Sequence, residues 1–73
     1  MNKYIIPICD IPNNSIWNEL IYARSISECQ DKLMVILSEK LDIDEVVDFD
    51  EFVRNADTEH DVMIGDITDI EAL

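Results

Sequence analysis

Residues that build catalytic loops are scarce in this chain of 73 residues. It has one glycine, so a phosphate-binding loop of the glycine-rich kind is excluded. It has one histidine, His60, and a cysteine nucleophile would need Cys9 or Cys29 beside it. The sequence gives no reason to place these residues together. We therefore expect a protein that is not an enzyme and that carries no cofactor.

Basic residues are also scarce. Five lysines and arginines face 17 aspartates and glutamates, which gives a net charge of −12. Residues 1–41 hold five acids and four bases, whereas residues 42–73 hold twelve acids and one base, Arg54. Because nucleic acids and anionic membranes are polyanions, direct binding to either is disfavoured. Self-repulsion of this charge must destabilise the fold, so added salt should stabilise it.

Long apolar runs are absent, and the first residues lack a cleavage site of the secretory kind. We therefore expect a cytoplasmic protein that does not enter a membrane. The two cysteines are isolated in the sequence, and free thiols are favoured over a structural disulfide. An apolar content of 48% is too high for a disordered acidic tail, which indicates one small domain over residues 1–73.

The first third of the chain is typical of a β-hairpin. Residues 3–11 and 15–24 are rich in β-branched and aromatic side chains, and "PNNS" at 12–15 has the composition of a turn. Pro7 lacks an N–H group and removes one hydrogen bond from the ladder. It therefore predicts a sheet edge or irregular pairing at that point.

A long helix is predicted over residues 25–42. Ser25 followed by Glu28 is a capping box. An apolar stripe at helical spacing should pack on the hairpin and form the core. Its predicted members are Ile26, Cys29, Leu33, Ile36, Leu37 and Leu41, widened by Met34 and Val35.

A shorter helix is predicted over residues 48–56, with Asp48 and Glu51 as a capping pair. Residues 60–70 then resemble a third strand, in which Gly65 marks a bulge or a close approach of two backbones. Residues 69–73 should add one helical turn. The predicted fold is α+β: a small two-layer ββααβ domain, with a hairpin, a third strand and helices packed on one face.

The order of these elements resembles a group of small phage and mobile-element proteins of the DpnD/PcfM-like type. The likeness lies in the hairpin, in "ARSISECQDKL" leading into a helix, in "DFDEF", and in the ending "IGDITDIEAL". It implies a phage or plasmid origin, a place in the host cytoplasm and an accessory role, which in some such proteins is inhibition of host defence. It transfers no catalytic residues.

The acidic stretch 42–61 is the main candidate for function. Acids occupy the first, third and twelfth positions of a calcium loop that would begin at Asp48, but Phe52 and Val53 stand where it needs an oxygen ligand and a glycine. No dedicated metal site is therefore predicted. A rigid acidic surface can instead occupy a cleft that binds nucleic acid, as DNA-mimic inhibitors of restriction and CRISPR enzymes do.

We expect the partner-binding residues to be Asp48, Asp50, Glu51, Asp57, Glu59, Asp61, Asp66 and Asp69. The expected partner is a basic protein surface, in particular that of a nucleic-acid-binding enzyme.

Two alternatives stay open. The acids can form a surface that only keeps the protein soluble. The protein can also be a structural or adaptor protein that self-associates or joins an assembly, through the hairpin edge or an apolar patch around Trp17 and Tyr22. Because the core is small and sheet edges are unprotected, either a monomer or a homodimer is compatible with the sequence.

Overall fold

Two helices pack on one face of an antiparallel sheet. The structure, a computed structural model, describes residues 1–43 and 47–71. Its elements are β1 (Asn2–Asp10), β2 (Ser15–Ala23), α1 (Ile26–Leu41), α2 (Phe49–His60), β3 (Val62–Ile64) and β4 (Thr68–Asp69). The predicted α+β fold is confirmed. The single strand predicted over 60–70 is wrong, because two short strands occupy that segment.

The hairpin closes through the loop of residues 11–14. Asp10 pairs with Ser15, and the N–H of Asn14 donates to the carbonyl of Ile11 at 3.0 Å. Asn14 has φ of 53°, a region that asparagine tolerates better than most residues. The turn chemistry of "PNNS" is therefore confirmed.

β1 is the central strand, although it contains a proline. β2 pairs with one edge of β1, and β3 and β4 both pair with the other edge. The carbonyl of Pro7 accepts a hydrogen bond of 2.8 Å from the N–H of Gly65, so the position of its missing N–H also faces the β3–β4 side. That is where the ladder is interrupted, which confirms the predicted irregular pairing.

The interruption is a bulge. Two residues of β1 between Ile5 and Ile8 oppose three residues, 65–67, between β3 and β4. A Cβ atom at Gly65 would lie 2.4 Å from Cγ of Pro7, so only glycine fits this close approach. The extra residue changes the face on which the chain continues, and Ile67 packs against the core. Ile67 therefore lies on the helix side of the sheet, whereas Met63 lies on the opposite side.

Helix α1 begins at the predicted cap, where Oγ of Ser25 accepts from the N–H of Glu28 at 3.2 Å. Cys29, Leu33 and Leu37 are buried against the sheet, as predicted. The prediction is wrong for two members of the stripe, because Ile26 is 54% exposed and Val35 is 59% exposed. Val35 is about 200° around the helix from Leu33, and Ile26 is the first residue of the helix, at the rim of the core.

Helix α2 begins as predicted but ends later. Oδ1 of Asp48 accepts from the N–H of Glu51 at 2.9 Å, and the helix continues past the predicted end at Ala56 to His60. Asp61 ends it in a left-handed conformation with φ of 54°, and Asp42 ends α1 in the same way with φ of 55°. In a chain with one glycine, aspartates thus occupy the positions where glycine usually ends a helix.

The last described residues form a turn. Oδ1 of Asp69 accepts from the N–H of Glu71 at 3.1 Å, which is an Asx-type contact. Residues 72 and 73 of the helical turn predicted over 69–73 lie outside the described residues. The core joins the sheet to both helices. It consists of Tyr4, Ile6, Ile8, Ile21, Ala23, Cys29, Leu33, Leu37, Ile43, Phe52, Ala56 and Val62.

Candidate interaction surfaces

The eight candidate acids lie on α2, at its two ends, and in the segment that follows it. Seven of them are exposed and Asp69 is half-buried. They divide into acids that the local backbone requires and acids that it does not.

Three of the candidates have a structural role. Asp48 caps the start of α2, Asp61 ends that helix in the left-handed region, and Asp69 accepts a hydrogen bond in the last turn. An aspartate is a good choice at each of these positions without any partner protein. Asp61 is therefore accounted for by the backbone and gives little evidence of a function.

The remaining acids differ in how the helix dipole affects them. Asp50 and Glu51 lie in the first turn of α2, where negative charge is favourable. Asp57 and Glu59 lie near the end of the same helix, where negative charge is unfavourable. The sequence predicts the end of this helix at Ala56, before both residues, and that boundary is wrong because α2 extends through them. They are exposed acids that oppose the stability of their own helix.

The exposed side of α2 also carries one base. Arg54 is four residues after Asp50 and three before Asp57, so it lies between acids on the same side of the helix. Asp66 is exposed in the bulge between β3 and β4, and it lines a shallow depression together with Asp50. We call Asp50, Glu51, Asp57, Glu59 and Asp66 the acidic side; within it, Glu59 lies about 180° around the helix axis from Asp50 and about 160° from Asp57, so these acids do not form a single row.

Ion pairing is concentrated elsewhere. Within residues 1–43 and 47–71, the salt bridges are Lys32 to Glu28 at 3.2 Å and Lys40 to Glu19 at 2.6 Å. Both belong to the nearly neutral first part of the chain. The charge of the acidic side is therefore directed to the solvent.

A buried carboxylate, which the sequence analysis did not single out, lies between β2 and α1. Glu19 is only 9% exposed, and its Oε1 accepts from Nζ of Lys40 at 2.6 Å and from Nε1 of Trp17 at 2.9 Å. The Lys40 ammonium also lies 5.4 Å from the centre of the Trp17 ring. The strand alternation of Trp17, Glu19 and Ile21 was the signal that could have revealed it.

These contacts control the ionisation of Glu19. Burial raises its pKa, but the hydrogen bonds from Lys40 and Trp17 and the charge of Lys40 together outweigh burial. The pKa of Glu19 consequently lies below the value of a free glutamate. The group is paired and satisfied, so we assign it a structural role.

The lone histidine borders a polar depression of about 340 Å³ that also includes Asp10, Lys40 and Asp42. His60 is half-buried there. Asp10 is 4% exposed and accepts from Nδ2 of Asn13 at 2.7 Å. In the part of the chain that the structure describes, no group of three or more His, Cys, Asp or Glu residues is placed to hold a metal ion.

Both cysteines are free, as predicted. Cys29 is fully buried, and burial raises the pKa of its thiol despite the nearby charge of Lys32. Cys9 follows the strand alternation to the other side of the sheet from Asp10, whereas Asp10 shares the polar depression with His60.

The sheet face away from the helices, which we call the open face, is largely apolar. Ile16, Leu20 and Tyr22 of β2 and Met63 of β3 are between 47% and 81% exposed. Trp17 lies on the opposite face, toward α1. The predicted apolar patch around Trp17 and Tyr22 is therefore wrong, because the pleat of β2 separates these two rings.

The free edge of β2 is partly blocked. Nζ of Lys32 donates to the carbonyl oxygen of Tyr22 at 2.7 Å, so an α1 side chain occupies an acceptor that a further strand would use. The expectation that the sheet edges are unprotected is wrong at this position. Beside it, Leu20, Tyr22, Val35 and Ile36 line a groove of about 560 Å³.

Within the described residues, neither helix has the length and apolar character needed to cross a bilayer. Comparisons with known protein families, with curated proteins and with solved structures find no match to this chain. The resemblance in element order stays a prediction.

Proposed function

We propose that this protein is a binding module whose acidic side engages a basic surface of a nucleic-acid-binding enzyme and blocks it. The position of Asp57 and Glu59 carries the proposal. Both are exposed, both lie near the end of α2 where the dipole disfavours them, and neither makes a structural contact of the kind that Asp48 and Asp61 make. Acids that oppose the stability of their own helix favour a role outside it.

The density of charge along α2 suits a cleft that accepts a nucleic-acid strand. The helix has 12 residues, so it is about 18 Å long. It displays four exposed acids over that length, at positions 50, 51, 57 and 59. One strand of a duplex has about five phosphates over a similar distance. A cleft lined by lysine and arginine would therefore meet a comparable density of negative charge on α2 and on a nucleic-acid strand.

A substitution of Arg54 can test whether the exposed side of α2 contacts the partner. Arg54 places a positive charge among these acids, where a basic cleft would repel it. If the exposed side of α2 is the contact, Arg54→Gln should bind the same partner more tightly. If another surface is the contact, this substitution should leave the affinity unchanged.

The main experiment compares two double variants. Asp57→Asn with Glu59→Gln removes two exposed acids from α2, and Asp31→Asn with Glu39→Gln removes the same two residue types from exposed positions of α1. Proteins captured from a cell lysate on each immobilised chain are then released with duplex DNA or with salt.

The proposal expects a DNA-binding protein that duplex DNA and salt both release. The α2 variant should lose this protein, whereas the α1 variant should retain it. Equal loss with both variants would mean that only net charge matters. Equal retention would mean that the acids serve solubility.

A folding measurement accompanies the comparison. Because the α2 variant removes unfavourable charge from the end of a helix, its free energy of unfolding in urea should rise by about 0.3–1 kcal/mol. Loss of the partner by a more stable protein would then be a loss of contact and not of structure. A fall in stability would show that Asp57 or Glu59 has a structural role.

A further inference from the structure

We propose that the free edge of β2 binds an extended, basic segment of another protein as an additional strand of the sheet. The strand order places β2 at one margin of the sheet, with β1 on its inner side. The backbone groups on the outer side of β2 therefore decide what can bind there. The inference is independent of the proposed function, because the acidic side belongs to α2 and to the segment after it.

Hydrogen bonds of β1 show which residues of β2 face outward. The carbonyls of Lys3 and Pro7 accept hydrogen bonds from the β3–β4 side, so these two residues direct their backbone away from β2. Their partners in the register are Tyr22 and Asn18. Bonded and non-bonded pairs alternate along an antiparallel ladder. The even-numbered residues of β2 therefore direct their N–H and carbonyl groups to the free edge.

This edge keeps a row of unused donors and acceptors. Within the described residues, the outward backbone groups of Ile16, Asn18 and Leu20 have no hydrogen-bond partner. Farther along, the carbonyl of Tyr22 accepts from Nζ of Lys32, so α1 closes the row at that end. Each of the three open residues offers one N–H and one carbonyl at the spacing of a strand. An extended peptide backbone is the ligand that matches such a row.

The groove beside this edge indicates which side chains the ligand should have. It has a volume of about 560 Å³ and is lined by Leu20 and Tyr22 of the strand and by Val35 and Ile36 of α1. Side chains of an added strand alternate between the two faces of the sheet, so every second one would lie next to Val35 and Ile36. Apolar side chains suit those alternate positions.

The charge of the groove favours a basic ligand. Its charged lining residues are Asp31 and Lys32. Lys32 is paired with Glu28 at 3.2 Å, whereas Asp31 is exposed and has no salt bridge within residues 1–43 and 47–71. Because the whole chain has a net charge of −12, a segment that carries lysine or arginine is attracted. An acidic segment, or the same edge of a second copy, is repelled.

Selection from a random library of displayed peptides, each about as long as the nine residues of β2, tests the proposal. The immobilised natural chain should enrich peptides with apolar residues at alternate positions and lysine or arginine between them. Val35→Lys should not enrich them, because it places a positive charge in the groove. Ile26→Lys adds the same charge at a 54% exposed isoleucine outside the groove and should enrich the same peptides.

Methylation of the backbone nitrogens of an enriched peptide identifies the contact. In an added strand, alternate N–H groups donate to β2 and the others point outward. Methylation of the first set should weaken binding at least about tenfold, and methylation of the second set by less than about twofold, as measured by fluorescence anisotropy. Losses that do not alternate along the peptide would overturn the proposal.

Hydrogen exchange of the protein gives a second measurement. In the free chain, the N–H groups of Ile16, Asn18 and Leu20 should exchange rapidly, whereas those of Trp17 and Glu19 donate to β1 and should exchange slowly. Saturation with the peptide should slow the first three. Rapid exchange of these three in the complex would contradict strand addition. Slow exchange in the free chain would also contradict it, since the edge would already be covered.

A gain of affinity provides a readout that a poorly folded variant cannot imitate. Lys32→Met frees the carbonyl of Tyr22 for one more hydrogen bond and removes a positive charge, so it should strengthen peptide binding about twofold to tenfold. Arg54→Met removes the same charge beside Met63 and Ile64, at the other side of the sheet, and should change the affinity by less than about twofold. An unchanged affinity with Lys32→Met would place the peptide elsewhere.

The two proposals can fail separately, because each double variant described above serves as the control of the other. Asp31→Asn with Glu39→Gln removes the carboxylate of the groove and should weaken the peptide, whereas Asp57→Asn with Glu59→Gln should not. The DNA-binding partner should respond in the opposite way. Peptides lost only with the α2 variant would be ligands of the acidic side and would overturn this proposal. Failure to enrich any peptide would overturn it as well.

Discussion

The two faces of the sheet differ in what covers them. Even-numbered residues of β1 and odd-numbered residues of β2 point toward the helices and form the core, with Glu19 and Asp10 as the buried acids. Their neighbours point to the open face, which is apolar although no described element covers it. The helix side holds the buried core and nearly all the surface charge. The open face has apolar side chains and few charges.

This difference shows that the net charge of −12 is not spread evenly over the surface of the molecule. The charge is concentrated on α2 and on the segment after it, and the alternation of β1 and β2 keeps it away from the open face. One small chain therefore presents a charged surface and an apolar surface. The following predictions test how different the two sides are.

The largest expected effect compares one substitution on both sides. Leu33 is fully buried under the sheet, whereas Leu20 on the open face is 47% exposed. Leu33→Ala should lower the free energy of unfolding by about 3–5 kcal/mol, and Leu20→Ala by about 1 kcal/mol or less. Urea denaturation measures both. Equal losses would mean that the open face is part of the core.

The bulge should be the next most sensitive feature. Gly65→Ala places a Cβ atom 2.4 Å from Cγ of Pro7, and the resulting strain should lower stability by about 1–3 kcal/mol. The double variant Gly65→Ala with Pro7→Ala removes the ring that the new methyl group meets. It should recover part of the loss, which a double-mutant cycle in urea measures. Additive losses would show that the close approach is not the cause.

The buried carboxylate should give a pH-dependent effect on the helix side. The pKa of Glu19 is lower in the folded protein than in the unfolded chain, so its contribution is present above the unfolded pKa, near pH 4.3. That contribution is lost as the pH falls through the folded value. Because Lys40 is half exposed, we expect only about 1 kcal/mol between the natural chain and Glu19→Gln at pH 7.

This difference should shrink as the pH falls below about 4.3, and urea denaturation of both proteins across the pH range measures it. The comparison removes the common effect of protonating the other acids. A difference that stays constant with pH would mean that Glu19 acts by shape alone.

The smallest expected effect concerns the acid that ends α2. Asp61 has φ of 54°, where glycine has no steric penalty, so Asp61→Gly should be neutral or stabilising by up to about 1 kcal/mol. Asp61→Ala keeps the steric penalty without the polar side chain and should destabilise. Thermal unfolding of the two variants checks the sign. A clear loss with Asp61→Gly would mean that the carboxylate itself is needed at this end of the helix.

Local signals in the sequence predicted much of the fold. The caps at Ser25 and Asp48, the turn after Asp10 and the irregular pairing at Pro7 are all present, because each depends on residues close in the chain. The predicted end of α2 was wrong because this helix ends at a non-glycine residue in the left-handed region. Asp61 is a poor signal for the end of a helix in a stretch where aspartate is common, so α2 was predicted four residues too short.

The candidate site was predicted only as a set of acids. The chain order placed Asp57, Glu59 and Asp61 together as one group, but the structure gives the first two an unfavourable helix position and the third a backbone role. Sequence cannot separate these cases, since it shows the type of a residue and not the conformation of its backbone.

By itself the sequence determined the α+β class, the two capped helices and the strong negative charge, because periodicity, capping residues and composition act locally. Only the tertiary structure decided which strand is central, which acids are free and which apolar side chains stay uncovered. Those outcomes depend on pairing between distant segments. The contact of Gly65 with Pro7, the burial of Glu19 against Lys40 and the separation of Trp17 from Tyr22 each require a register that no local pattern specifies.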